Sequence, residues 1–336
     1  MSLHDLAGAV ILGALVLYAL MGGADYGGGI WDLLASGPRR KEQRALIEEA
    51  IGPIWETNHV WLILVVVVLF TGFPSAFAAL SIGLFVPLML LLVGIVLRGA
   101  AFTFRAYDHP EDHVQARWGL VFSASSVVAP VVLGVVVGAT ASGRAGPGPD
   151  GGLAPFAWVS PFPLAVGLFA AALFAYLAAT YLAVEAEGAL RDDFRRRAIG
   201  AGVAVFLTAL AAGALSWREA PLVFHGLTGR PFTLPLHLAT GAAAVTAFAA
   251  LRRGAVRLAR AAAAAQVTLI VVGWGASQYP YLLVPHLTLA SAAAPRATLV
   301  PLLWALGGGA LLLFPALYLL FRVFKGERPF AVVDRK

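Results

Sequence analysis

Cysteine is missing from all 336 residues, which removes disulfides, thiolate metal sites and thiol nucleophiles. Charge is scarce as well. Only 12% of residues are Asp, Glu, Lys or Arg, about half of the roughly 25% found in a soluble domain. A chain this long could bury a large core, but it could not cover that core with so few polar side chains, so no sizeable soluble domain is expected. Methionine occurs three times, which leaves few thioether ligands. The opening stretch, Met1–Gly13, has no basic segment ahead of its apolar run and no cleavage site, so it does not read as a removable signal peptide.

What the chain has instead is apolar length. Hydrophobic residues make up 60% of it, in blocks of roughly 20 or more, the length an α-helix needs to cross about 30 Å of hydrocarbon. Block cores include Ile63–Phe70, Phe85–Leu97, Val127–Gly138 and Leu311–Phe321. Within a bilayer only helices and closed barrels satisfy the backbone, and blocks this long without alternation are not barrel strands. The expected fold is all-α, a polytopic membrane protein of nine helices at 6–35, 55–74, 78–100, 117–141, 161–184, 198–217, 232–251, 262–284 and 297–321. The first is too long for one straight crossing, so it is expected to tilt or overshoot.

Loop charge orients these spans. Arg39–Lys41 and Arg44, then Arg98, Arg105 and Arg117, then Arg191 and Arg195–Arg197, then Arg252, Arg253, Arg257 and Arg260, and finally the C-terminal tail, hold 20 of the 24 basic residues on one side. Arg144, Arg218, Arg230 and Arg296 are on the other. The positive-inside rule then predicts an outside N-terminus and a cytoplasmic C-terminus, with the net charge of +6 serving as membrane anchoring rather than nucleic-acid binding. The Gly/Pro-rich stretch within 142–160 reads as an outer connecting loop. It divides the chain into a first four-helix half, 1–141, a second, 161–284, and a ninth helix with its tail, 285–336. Two four-helix bundles plus one peripheral helix follow from that count, although no sequence repeat relates the halves.

Ionisable groups inside spans are costly and draw attention as functional. Asp25 lies in GGADYGGGI and, if the first span ends near Ser36, roughly 15 Å deep at 1.5 Å per residue. Glu56 opens the second span in IGPIWETNHVW. Two carboxylates on consecutive helices suit a proton relay. The alternatives are a structural hydrogen bond, or a charge pair with an arginine such as Arg98. The glycine run follows no strand and reads as close helix packing, not a phosphate loop. Trp55 and Trp61 flank Glu56 and Asn58, and serve as interface anchors, packing or function. Of the seven histidines, only His59 and His237 fall in spans, and they begin at opposite faces, which argues against an axial haem pair. No metal site is expected.

GGADYGGGIWDLL at Gly22–Leu34, IGPIWETNHVWLI at Ile51–Ile63, FPSAFAAL at Phe73–Leu80, LRGAAFTFR at Leu97–Arg105, ATYLAVEAEG at Ala179–Gly188 and SQYPYLLVPHLTL at Ser277–Leu289 together resemble subunit II of the cytochrome bd-type quinol oxidases. The resemblance implies one subunit of a bacterial or archaeal membrane complex that oxidises quinol and reduces dioxygen to water. It implies a partner subunit I carrying the haems, b and d or b-type variants, and no cofactor or catalytic residue in this chain alone. It leaves room for a small accessory subunit and bound lipid. The implied roles are stabilising subunit I, a cytoplasmic proton pathway through Asp25 and Glu56, and oxygen access along Trp61, with Trp55, Asn58, Arg98 and Arg105 structural or partner-facing. Glu56 stands where some members have Asp, which keeps the proton chemistry and adds a methylene of reach. The competing reading is a secondary transporter using Asp25 and Glu56 as coupling acids near broken helices.

Overall fold

In the computed structural model, the described residues are 2–52, 55–107, 112–145 and 156–325. Pro53, His109 and the basic tail beyond Lys325 lie outside them, as do the side chains of Arg105 and His113. Among them, nine helices are long and apolar enough to cross a membrane, and hydropathy places most of them to within a few residues.

The first crossing is two helices. α1 (Leu3–Leu20) starts on a capping box between Ser2 and Asp5, and α2 (Gly22–Leu33) follows a break at Met21. The long first span thus keeps its 31 residues but is interrupted at Met21. Next comes α3 (Arg40–Ile51), a charged helix that buries Gln43, Ile47 and Ile51 at a four-residue spacing. It stands on the arginine-rich side, and its sequence is too polar to register as a span.

α4 (Trp55–Gly72) leads into α5 (Pro74–Gly83) and α6 (Phe85–Tyr107). The crossing expected at 78–100 is therefore displaced to Phe85–Phe104. Ten residues of α5 reach only about 15 Å, too little for a bilayer, and the apolar sequence through Leu84 conceals the turn. α7 (Asp112–Ala141), α8 (Pro161–Glu185) and α9 (Gly188–Glu219) follow. At 32 residues, or about 48 Å, α9 outreaches the membrane, so its charged start projects beyond it. There Asp193 accepts two 2.7 Å bonds from Arg39 and one of 2.8 Å from Arg196, which hold its carboxyl down at about 2. That cluster ties α9 to the turn between α2 and α3.

After α10 (Pro221–Thr228), α11 (Thr233–Arg253) ends on Gly254 with φ +76°, a left-handed position that glycine takes without strain. The chain reverses into α12 (Val256–Gln278). The span expected at 262–284 is shifted toward its start, because Pro280 and Pro285 end the helix and a short antiparallel pair, β1 (Tyr281–Leu283) and β2 (Leu287–Thr288), follows. α13 (Leu289–Ala292) and α14 (Arg296–Lys325) complete the chain.

α8 is the most buried crossing, and it packs on α2, α7, α9 and α12. α14 is the least buried and leans on α4 and α1. One continuous core includes Tyr26, Trp61, Phe122, Leu177, Phe194 and Leu251, so residues from before and after the 142–160 loop share it.

Candidate functional site

The glycine run gives α2 a surface on which other helices lie at backbone distance. A Cβ on Gly27 would collide with the Phe174 carbonyl of α8, and the Trp31 indole N–H donates to the Ala175 carbonyl at 2.7 Å. This packing leaves Asp25, on the first turn of α2, only 4% exposed. The Asn58 side-chain amide, from α4, donates to Asp25 Oδ2 at 2.9 Å.

Asp25 and Asn58 line the inner part of a cavity of about 760 Å³. Leu20, Met21, Ala178, Leu182, Ala261 and Ala264 give it apolar walls. Glu185 at the end of α8, Arg257 and Arg260 at the start of α12, and Arg322 near the end of α14 place its mouth on the arginine-rich side. Asp25 is eight residues from the end of α2, roughly 12 Å along the axis. A carboxylate at that depth, reached by a polar-mouthed cavity, can take up and release a proton while staying inside the membrane.

Beyond this pair lies a second polar cluster. Arg98 of α6 is 2% exposed. Its Nε donates to Ser126 Oγ at 3.2 Å, and its Nη1 lies 3.2 Å from His59 Nε2. Arginine can only donate, so Nε2 accepts and the neutral imidazole carries its proton on Nδ1. The guanidinium also sits over the Tyr26 and Phe122 rings, at 5.0 and 5.2 Å. Tyr18 donates to Tyr26 between hydroxyls at 3.1 Å. Arg98 Nη2, His59 Nδ1 and Asn58 Oδ1 meet no hydrogen-bond partner among the described residues.

The structure thus joins Asp25 to Asn58 but treats Glu56 differently. Read from sequence, Glu56 is a buried acid. In the folded chain it is exposed on the first turn of α4 and does not line the cavity. The reason is helical phase: Asn58 and Trp61 face the core, and Glu56 is on the opposite side of the same helix. Trp61 is 3% exposed, its indole N–H directed at Met21 Sδ at 3.2 Å and its ring 6.1 Å from that of Phe314. Trp55 is half-buried and tilts against Phe102 at 5.7 Å.

A third acid, Asp32, joins the buried polar groups. Asp32 is fully buried and accepts from Ser123 Oγ at 2.7 Å, with Arg44 Nε 3.8 Å away. Its signal was its position seven residues, two helical turns, after Asp25 on one face. Among the described residues no cluster of three or more metal-ligating side chains occurs.

Comparison with known proteins bears on this geometry. A family model described as cytochrome bd terminal oxidase subunit II matches residues 3–324. Over 137 residues the chain is 34% identical to the cytochrome bd ubiquinol oxidase subunit 2 of Bacillus subtilis, covering 40% of this chain and 39% of that protein. Over 130 residues it is 29% identical to the cytochrome bd-I ubiquinol oxidase subunit 2 of Escherichia coli, 38% of this chain and 34% of that one. These matching segments therefore span less than half of the relatives' length. The fold superposes on a chain of the bd oxidase from Geobacillus thermodenitrificans with a TM-score of 0.82, over 98% of this chain and 100% of the other, at 23% identity. With a family model running over nearly its whole length, the chain belongs to the cytochrome bd terminal oxidase subunit II family.

Proposed function

We propose that this chain is the haem-free second subunit of a quinol:dioxygen oxidoreductase of the cytoplasmic membrane. It stabilises a haem-bearing subunit I and brings protons from the cytoplasm to Asp25. The observation that carries the reading is the cavity from the arginine-rich mouth to the Asp25–Asn58 pair. The basic-residue asymmetry makes that mouth cytoplasmic. Reduction of dioxygen to water consumes protons, and drawing them from the inner side contributes to the membrane potential. A buried carboxylate reached by water from that side is a station for them.

The state of His59 supports placing the haems in the partner. Its Nε2 faces Arg98 and its ring is packed against Tyr18 and Tyr26, while His237 Nδ1 lies 2.7 Å from the Thr233 carbonyl of its own helix. With its Nε2 turned to Arg98, His59 has that nitrogen engaged, which favours a reading in which the haems belong to the partner. Glu56 serves on the partner-facing side, where a carboxylate on a membrane helix needs cover. Trp61, in a dry apolar setting, lines the access of dioxygen. The halves 1–141 and 161–284 act as two four-helix units joined along α2, α7 and α8.

The test is Asp25→Asn in the purified two-subunit complex, reconstituted in vesicles. Turnover and proton uptake are expected to fall about tenfold, a modest fraction of what a positioned proton-transfer group contributes, with the haem spectrum unchanged. Normal turnover and uptake in Asp25→Asn would refute the route.

A further inference from the structure

The mouth of the cavity has an order that proton access does not require. Arg257 and Arg260 of α12 sit at the lip, and Ala261 and Ala264, one turn further into the membrane on the same helix, line the wall with them. Across the opening Arg322 of α14 lies one turn outward of Tyr318. At a spacing of four residues each cation stacks over an apolar or aromatic group on one helix face. Arg260 and Arg322 form no ion pair among the described residues. α12 packs on α11, α8 and α1, whereas α14 packs on α4 and α1, so the cleft lies between the inner ends of two helices that each lean elsewhere.

Three arginines against the single Glu185 carboxylate leave the lip net positive, and with the apolar slot below they form an amphipathic receptor set at the level of the bilayer surface. We infer that this cleft binds an anionic phospholipid of the cytoplasmic leaflet. Its phosphate rests between Arg260 and Arg322, and an acyl chain lies along the Ala261–Ala264 and Tyr318 walls. Basic pockets between transmembrane helices on the cytoplasmic side recognise such headgroups. A soluble anion would use the arginines and leave the apolar slot beneath them unused. A zwitterionic lipid would use the slot and bring no net charge to the arginines. The volume of about 760 Å³ admits a headgroup and part of one chain. The inference stands whether or not Asp25 carries protons.

The experiment uses the intact two-subunit complex, delipidated in a neutral detergent and titrated with phosphatidylglycerol, with bound lipid counted by native mass spectrometry. One tightly held equivalent is expected. In Arg260→Gln/Arg322→Gln its affinity should fall at least about tenfold, the scale of two basic contacts to an anionic headgroup. Arg260→Lys/Arg322→Lys should restore most of it, and Arg252→Gln/Arg253→Gln, outside the cavity, should bind as the unaltered protein does. Equal retention by the glutamine variant would overturn the proposal, as would equal retention of phosphatidylcholine. Displacement of the lipid by equimolar inorganic phosphate would instead make the lip a free-anion site and overturn it too.

Discussion

A carboxylate held inside a membrane is tolerated when its neighbours satisfy it, and Asn58 shows how narrow that provision is. Its amide nitrogen donates to Asp25 while its Oδ1 meets no partner among the described residues, so the residue is oriented by the acid it serves. Trp61, one turn further along α4, poses a sharper question, since the same side chain fills space and is proposed to line an oxygen route. Trp61→Ala should lower the melting temperature of the complex, because removing a buried aromatic ring costs about 3–5 kcal/mol. Trp61→Phe should keep most of that stability. If Trp61 lines the route, both variants change the apparent affinity for oxygen at normal haem content; if only Trp61→Ala is affected, and only in assembly, the residue is packing. Asp25 and Asn58 were legible as polar groups in an apolar span. The exposure of Glu56 was not, because it depends on helical phase relative to neighbours that no single helix sequence contains. The contact of His59 with Arg98, 39 residues away, has no local signature.

At the scale of elements, α2 is the piece on which the site depends. Its glycines bring α8 to backbone distance, so enlarging Gly27 should separate the two helices and move Asp25 away from Asn58. Gly27→Ala is expected to cost about 1–3 kcal/mol, the usual range for overpacking, and to reduce turnover with it. Gly13→Ala in α1, where a Cβ meets nothing within 4 Å, is the control. Thermal melts and oxygen consumption of both variants check this; equal melting temperatures would contradict it. The crossings themselves could be read because bilayer thickness imposes a length on them. α3 escaped notice because it is amphipathic and lies outside the hydrocarbon, α5 because it is apolar but short, and the Tyr279–Thr288 turn because its apolar residues extended a hydropathy window past Pro280.

For the molecule as a whole, the proposed role requires a surface that subunit I covers. One face of α4 is buried through Asn58, Trp61, Val65, Val68 and Gly72. The other carries Glu56, Val60, Ile63, Val67 and Phe70, all exposed, at spacings of four and three residues that form one stripe. Apolar residues on a membrane helix can face lipid, so the aliphatic part of the stripe decides nothing alone. The carboxylate at its head adds a polar group to that stripe, and a charged group on a span turns to protein or water. We therefore expect this face, in the first half of the chain, to lie against subunit I. A photo-activatable residue placed at Ile63 or Val67 should crosslink to subunit I in the membrane. The same probe at Leu210 or Val245, exposed on α9 and α11, should label lipid. Crosslinks to subunit I from the α9 and α11 positions but none from α4 would place the interface on the second half, and Glu56 would then need another explanation.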